Sequence, residues 1–136
     1  SQPHWKWLES MVDDRRSWES EGLGAPFNRA GWHHGSAGRI DEGCRVDCWL
    51  RVDAGTVREA RFEVFGGPDT MRGAAWLADW LAGRSVAAAQ TVTGRWLAEA
   101  AALPDEARTV ALDIEDALRS ALAVSVERMD GANDEY

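Results

Sequence analysis

Phe62-Glu-Val-Phe-Gly-Gly-Pro-Asp-Thr-Met-Arg-Gly-Ala-Ala-Trp-Leu-Ala-Asp-Trp-Leu-Ala-Gly-Arg-Ser85 is the stretch whose reading decides the fold. It reads as the end of a strand, a Gly66-Gly67 turn, a helix opened by Pro68 and closed at Gly83, and a restart at Ser85. Proline suits the first helical position, where the missing N–H has no partner to lose, and glycine suits the position just past the end. Within the helix Met71, Ala74, Ala75, Ala78, Leu81 and Ala82 form an apolar stripe, and Trp76 and Trp80 lie one turn apart on a flanking face. A strand that turns into a helix N-terminus presents backbone N–H groups and the positive end of the helix dipole, so an anion or a thiolate is favoured there. The turn itself carries only glycines, which can neither ligate nor attack.

Upstream, Cys44-Arg-Val-Asp-Cys-Trp-Leu-Arg-Val-Asp53 alternates: Cys44, Val46, Cys48, Leu50 and Val52 share one face, and Arg45, Asp47, Trp49 and Arg51 the other. Asp53-Ala-Gly55 is turn chemistry, and Thr56 to Phe65 follows as a second strand with Ala60, Phe62 and Val64 on one face. The two make an antiparallel hairpin with one buried side. Cys44 and Cys48 then share a face about 13 Å apart at the rise of a strand, too far to bridge, and a buried cysteine is commonly a small hydrophobe.

Residues 20–43 hold six glycines and few apolar repeats and read as loop. Inside it, Gly31-Trp-His-His-Gly35 places His33 and His34 side by side. Neutral imidazole is a common metal ligand, although adjacent residues seldom reach one ion, and the plainer reading is a surface or interface loop. Residues 3 to about 19, with Trp5, Leu8, Met11 and Val12 at helical spacing, read as an amphipathic helix docked on the domain.

Downstream, Ser85 caps a short helix from Val86 to about Val92, and Gly94 opens another. Leu103-Pro-Asp-Glu106 starts a long last helix, from about Pro104 to Arg128, with Val110, Ile114, Ala117, Leu118, Ala121 and Leu122 on its apolar side. Glu115 and Asp116 read as a solvated pair on its outer surface. The chain thus divides into an N-terminal helix and glycine-rich loop (1–43), a main folded unit (44–128) and an acidic tail (129–136) that is expected to be solvated.

At 136 residues this is one domain. A net charge of −8 argues against general nucleic-acid binding, which needs a basic footprint. No apolar run approaches a membrane span and the first residues lack a signal-peptide core, so a cytoplasmic protein is expected. Eight tryptophans are many for this length, which hints at partner contacts, with Trp32, Trp76 and Trp80 the candidates. No nucleophile is placed with a base and no phosphate-binding glycine motif occurs, so an enzyme is not expected. From residues alone the chain is an α+β domain with a helix-covered antiparallel sheet.

The run Gly55, Val57-Arg-Glu-Ala-Arg-Phe62, Phe65-Gly66, Trp80-Leu-Ala-Gly-Arg-Ser-Val86, Ala89-Gln90, Ala98-Glu99, Leu103-Pro104 and Glu115-Asp-Ala117 resembles the U-type iron–sulfur cluster scaffold family, known as IscU and the NifU N-terminal domain. The match is close to collinear from Gly55 to about Ala121, about half of the chain. The resemblance implies a three-stranded antiparallel sheet covered by helices, with a long C-terminal helix. It also implies three cysteines and an acidic residue around one exposed corner, since thiolates ligate iron and accept sulfur. The sequence departs from that pattern. Gly67 stands at the cysteine after the strand-ending Phe-Gly, Val110 at the cysteine near the start of the long helix, and Thr109 at the histidine before it. Glu42-Gly43-Cys44 faces the family's Cys-Gly-Asp, so only Cys44 and Glu42 remain as ligands there. The family's chaperone-recognition stretch, Leu-Pro followed by Pro-Val-Lys, continues here as Asp105-Glu-Ala107.

The expectation is therefore a degenerate scaffold, a non-catalytic accessory or subunit that acts through a protein partner and carries no standard cofactor. The alternative is a carrier of zinc, iron or an iron–sulfur cluster at a rebuilt site of Cys44, Glu42 and one or both of His33 and His34. A third reading is a cluster shared across a homodimer, in which two thiols per chain supply four.

Overall fold

Strand β2 (Cys44–Asp53) is the centre of the protein, here described by a computed structural model over residues 23–134. It pairs antiparallel with β1 (His33–Arg39) and with β3 (Thr56–Phe65), in the order β1-β2-β3. Its alternation is as the sequence indicates: Val46, Cys48 and Leu50 are fully buried on one face, and the opposite face carries Arg45, Asp47 and Arg51. Ala54 and Gly55, with φ of 52° and 75°, make the two-residue connection to β3, the conformation a tight hairpin requires.

The reading of residues 20–43 as loop is corrected by β1. Its inward positions are His33, Gly35 and Ala37, opposite Leu50, Cys48 and Val46, so no apolar alternation marks it as a strand. Gly35 is small because a helix backbone passes over it: a Cβ there would stand 2.2 Å from the Ala121 nitrogen. Close approach took the place of a hydrophobic signal.

Four helices follow: α1 (Pro68–Leu81), α2 (Val86–Ala89), α3 (Gly94–Ala100) and α4 (Arg108–Asp134). Each start has a local cause. Pro68 opens α1, the Ser85 hydroxyl accepts the Ala88 N–H at 3.0 Å, and the Thr93 hydroxyl accepts the Trp96 N–H at 3.1 Å. A 3-10 turn, Asp105–Ala107, precedes α4, which continues to Asp134, past the expected end at Arg128 and into the stretch read as tail. The expected N-terminal helix over residues 3–19 lies outside the described residues.

Helix α1 lies on β3, and α4 on β1 and β2. Leu77, Leu81, Ile114 and Leu118 meet Val46, Cys48, Leu50 and Phe62 in one core. Glu115 is not the solvated half of a carboxylate pair. Its Oε1 accepts the Gly94 N–H at 2.6 Å, and its Oε2 accepts from Arg119 Nε at 2.8 Å, which ties the start of α3 to α4. The outer edge of β3 is secured by single bridges from Leu23 to Phe62 and from Ser85 to Thr56. Arg61 holds the carbonyls of Leu23 and Gly24 at 2.8 and 2.9 Å, and Arg29 lies over Trp49, so the segment after Gly24 reaches across the face of the sheet opposite the helices. Among the described residues no helix is long and apolar enough to cross a membrane.

Candidate functional site

Three chain segments meet at one corner of the domain: the start of β2, the entry to α1 and the first turns of α4. Cys44 joins them. Its thiol is within hydrogen-bonding reach of the Asp113 carboxylate on α4 and of the Thr70 hydroxyl on α1. Thr70 is 1% exposed, and its side chain packs against the Gly66 backbone, where an added Cβ would stand 3.1 Å from the hydroxyl.

Burial raises the Cys44 pKa most, the hydrogen bond to Asp113 and its negative charge raise it further, and Thr70 opposes them; the result is a shift from 9.0 to about 11. At neutral pH the sulfur therefore carries its proton. A carboxylate is a far weaker base than a thiolate, so Asp113 cannot strip that proton and instead holds it. The other cysteine, Cys48, is wholly enclosed, and burial pushes its pKa well above 9.0. Cys48 belongs to the core.

Gly67 sits on the same corner with φ −80° and ψ 178°, a backbone open to any residue, and a Cβ there would meet nothing within 4 Å. The glycine is therefore not demanded by the turn. Val110 stands half-buried on the first α-helical turn of α4, with Thr109 exposed beside it.

Glu42 lies exposed in the 3-10 turn Ile40–Glu42, just before Gly43 and Cys44. The histidines are elsewhere. Cys44 is paired with Arg39, whereas His33 and His34 face Leu50 and Trp49 at the other end of β1, six residues or about 20 Å away along an extended strand. The loop that was expected to bring them to Cys44 is this strand. His34 Nε2 donates to Asp47 Oδ1 at 2.7 Å, and the ring stacks on Trp49 at 4.2 Å. Among the described residues, no three His, Cys, Asp or Glu side chains are placed to share a metal ion. Among the described residues, the corner brings together one thiol, one carboxylate and one hydroxyl.

Among the described residues, the tryptophans do not form one patch. Trp76 and Trp80 of α1 meet Trp96 of α3 edge-on, at 5.5 and 4.8 Å, in the helical layer. Trp32 lies beneath Arg51 at 5.6 Å, on the opposite side of the sheet.

The sequence reading passed over Thr70 and Asp113. For Asp113 a signal existed: it falls three residues after Val110 and four before Ala117, on the apolar stripe of α4, where a carboxylate needs a partner. Thr70 carried no such mark.

Comparison with known proteins gives the same architecture and relations. Residues 21–130 match the model of the NifU-like N terminal domain. The chain is 37% identical over 90 residues to the nitrogen fixation protein NifU of Cereibacter sphaeroides; the match takes in 65% of this chain and 37% of that longer relative. A crystal structure from Fervidobacterium islandicum AW-1, described as an iron-sulfur cluster assembly scaffold protein for the SUF system, superposes with a TM-score of 0.59 over 84% of this chain and 94% of that one, at 11% identity.

Proposed function

The chain belongs to the family of NifU-like N terminal domains, an iron–sulfur cluster scaffold family, and on that premise we propose that it is a degenerate member, a non-catalytic accessory or subunit that works through protein contacts. The observation that carries this reading is Gly67. The corner has room for a cysteine at that position and a backbone that accepts one, yet it holds glycine. Val110 and the protonated Cys44 support the same reading, since neither supplies a thiolate at neutral pH. The reading takes the protein as cytoplasmic, where Cys44 and Cys48 stay reduced.

Anaerobic reconstitution with ferrous iron and sulfide tests it, read by visible absorption and by iron and acid-labile sulfide after desalting. The expected result is a colourless wild type and a brown Gly67→Cys/Val110→Cys double variant. A cysteine-dependent chromophore on the wild-type chain would overturn the reading.

The contact between Cys44 and Asp113 favours one second reading, a carrier that holds zinc or iron at a thiolate–carboxylate pair after the thiol proton is displaced. Metal bound by the wild type and absent from Cys44→Ala would select it.

A further inference from the structure

A hollow of about 640 Å³ lies between α3 and the start of α4. Its apolar lining comes from Ala98 and Ala102, from Leu103 and Pro104 in the connection to the 3-10 turn, and from Leu112 on α4. Leu112 is 52% exposed, one of four large apolar side chains left open among the described residues. The inward stripe of α4 is carried by Ala111, Ile114, Ala117 and Leu118, so Leu112 stands outside the core. Cys44 does not line the hollow, and neither do Thr70 and Asp113.

The charges on the rim are ordered from one end to the other. Gly94 marks the first end, where a Cβ on it would meet the Leu112 nitrogen at 3.0 Å, and Arg95 stands beside it. Glu99 is one turn further along α3, about 6 Å on. Asp105 follows the loop that closes the second end, with Arg108 next to it. One end therefore carries a guanidinium, and the other two carboxylates and a guanidinium. The pairs within the chain are loose. Arg95 is 4.0 Å from Glu99 and Arg108 is 3.7 Å from Asp105, with all four side chains exposed, so these groups can pair again across an interface at little cost.

The rim sums to zero charge, so a wholly acidic or wholly basic partner loses at one end what it gains at the other. Two chains of net charge −8 repel one another overall, and a self-contact needs a patch on which opposite signs meet. A two-fold axis through the hollow supplies that arrangement. It lays the patch over itself in reverse, with Arg95 of each copy against Glu99 and Asp105 of the other, and Leu112 against the apolar lining. We propose that this face docks a second copy of the chain, in a two-fold contact centred on the hollow between α3 and α4. The contact uses no cysteine and does not draw on the reading of the Cys44 corner.

Sedimentation equilibrium of the full chain tests it, with 15N-labelled protein diluted in parallel to locate the contact. The expected result is a monomer–dimer equilibrium with Kd on the order of 100 µM, and dilution shifts at Ala98, Leu103 and Leu112. Arg95→Glu should weaken the dimer on the order of tenfold or more, and so should Glu99→Arg/Asp105→Arg, because each leaves like charges facing across the axis. Mixed in equal amounts, the two variants should associate as tightly as the wild type, since the exchanged charges match again. That recovery also shows both variants to be folded. Leu112→Ser should weaken the dimer through lost apolar contact. A chain that stays monomeric at about 1 mM, a dimer indifferent to Arg95→Glu, shifts mapping to the Trp76–Trp80–Trp96 face, or a mixture that does not recover would each overturn the proposal.

Discussion

Cys44 keeps its proton because of where its neighbours come from. Burial acts first and Asp113 second, and both favour the neutral thiol. Reaction with iodoacetamide should therefore be slow at neutral pH and rise toward a midpoint of about 11. Asp113→Asn removes the charge while burial remains, so the midpoint should move down part of the way toward 9.0; an unchanged pH–rate profile would show that the carboxylate does not act on the thiol. Cys48, fully enclosed, stays unmodified in the folded protein and serves as the control. The same shift has a consequence for stability. The folded-state pKa lies above the unfolded one, so the folded chain binds more protons between about 9 and about 11 and stability falls as pH rises through that window. Cys44→Ser should reduce this alkaline loss in urea melts, and the part due to Cys48 should remain.

At the scale of elements, α3 is seven residues long and cannot hold itself as a helix in isolation. It is held from outside. The Thr93 hydroxyl caps its start, and Glu115 reaches from α4 to the Gly94 N–H. Gly94 permits this approach, since a Cβ there would crowd the Ala111 and Leu112 backbone at 3.0 to 3.1 Å. Glu115→Ala strips the cap and leaves Arg119 without its carboxylate, and should cost about 2 kcal/mol by urea denaturation. Asp116→Ala, on the exposed side of the same helix, should stay within about 0.5 kcal/mol. Equal effects would return both residues to the solvated surface. The adjacent sequence positions gave no way to tell them apart, because a carboxylate pair one residue apart straddles two sides of a helix and only the partner helix decides which one is used.

The whole molecule depends on the layer of helices settling closely onto the sheet, and Gly35 is the place where that distance is set. The Ala121 backbone occupies the space of a side chain at this position. Gly35→Ala should therefore destabilise by about 3 kcal/mol or more, or shift α4 away from β1. Gly67→Ala, in open space at the helix cap, should stay within about 1 kcal/mol. Thermal melts of the two variants make the comparison, and similar losses would show that α4 does not seat closely on β1.

What the sequence determined by itself is what depends on neighbours along the chain. Alternation in Cys44–Asp53 and Thr56–Phe65, the turn at Ala54-Gly55, Pro68 at the head of α1 and the apolar stripe of α4 are short-range patterns, and each marks its element. The glycine at position 67, where the family resemblance implies a cysteine, was likewise visible in one line of residues. Tertiary structure decided the rest. The strand His33–Arg39 has no pattern of its own, because its inward side is filled by a helix backbone instead of by apolar side chains. That strand carries the histidines away from Cys44, and the packing of α1 and α4 on the sheet brings Thr70 and Asp113 to it. Sequence separation says little about such meetings, since the groups that set the chemistry of Cys44 come from two helices that touch only after the core has closed.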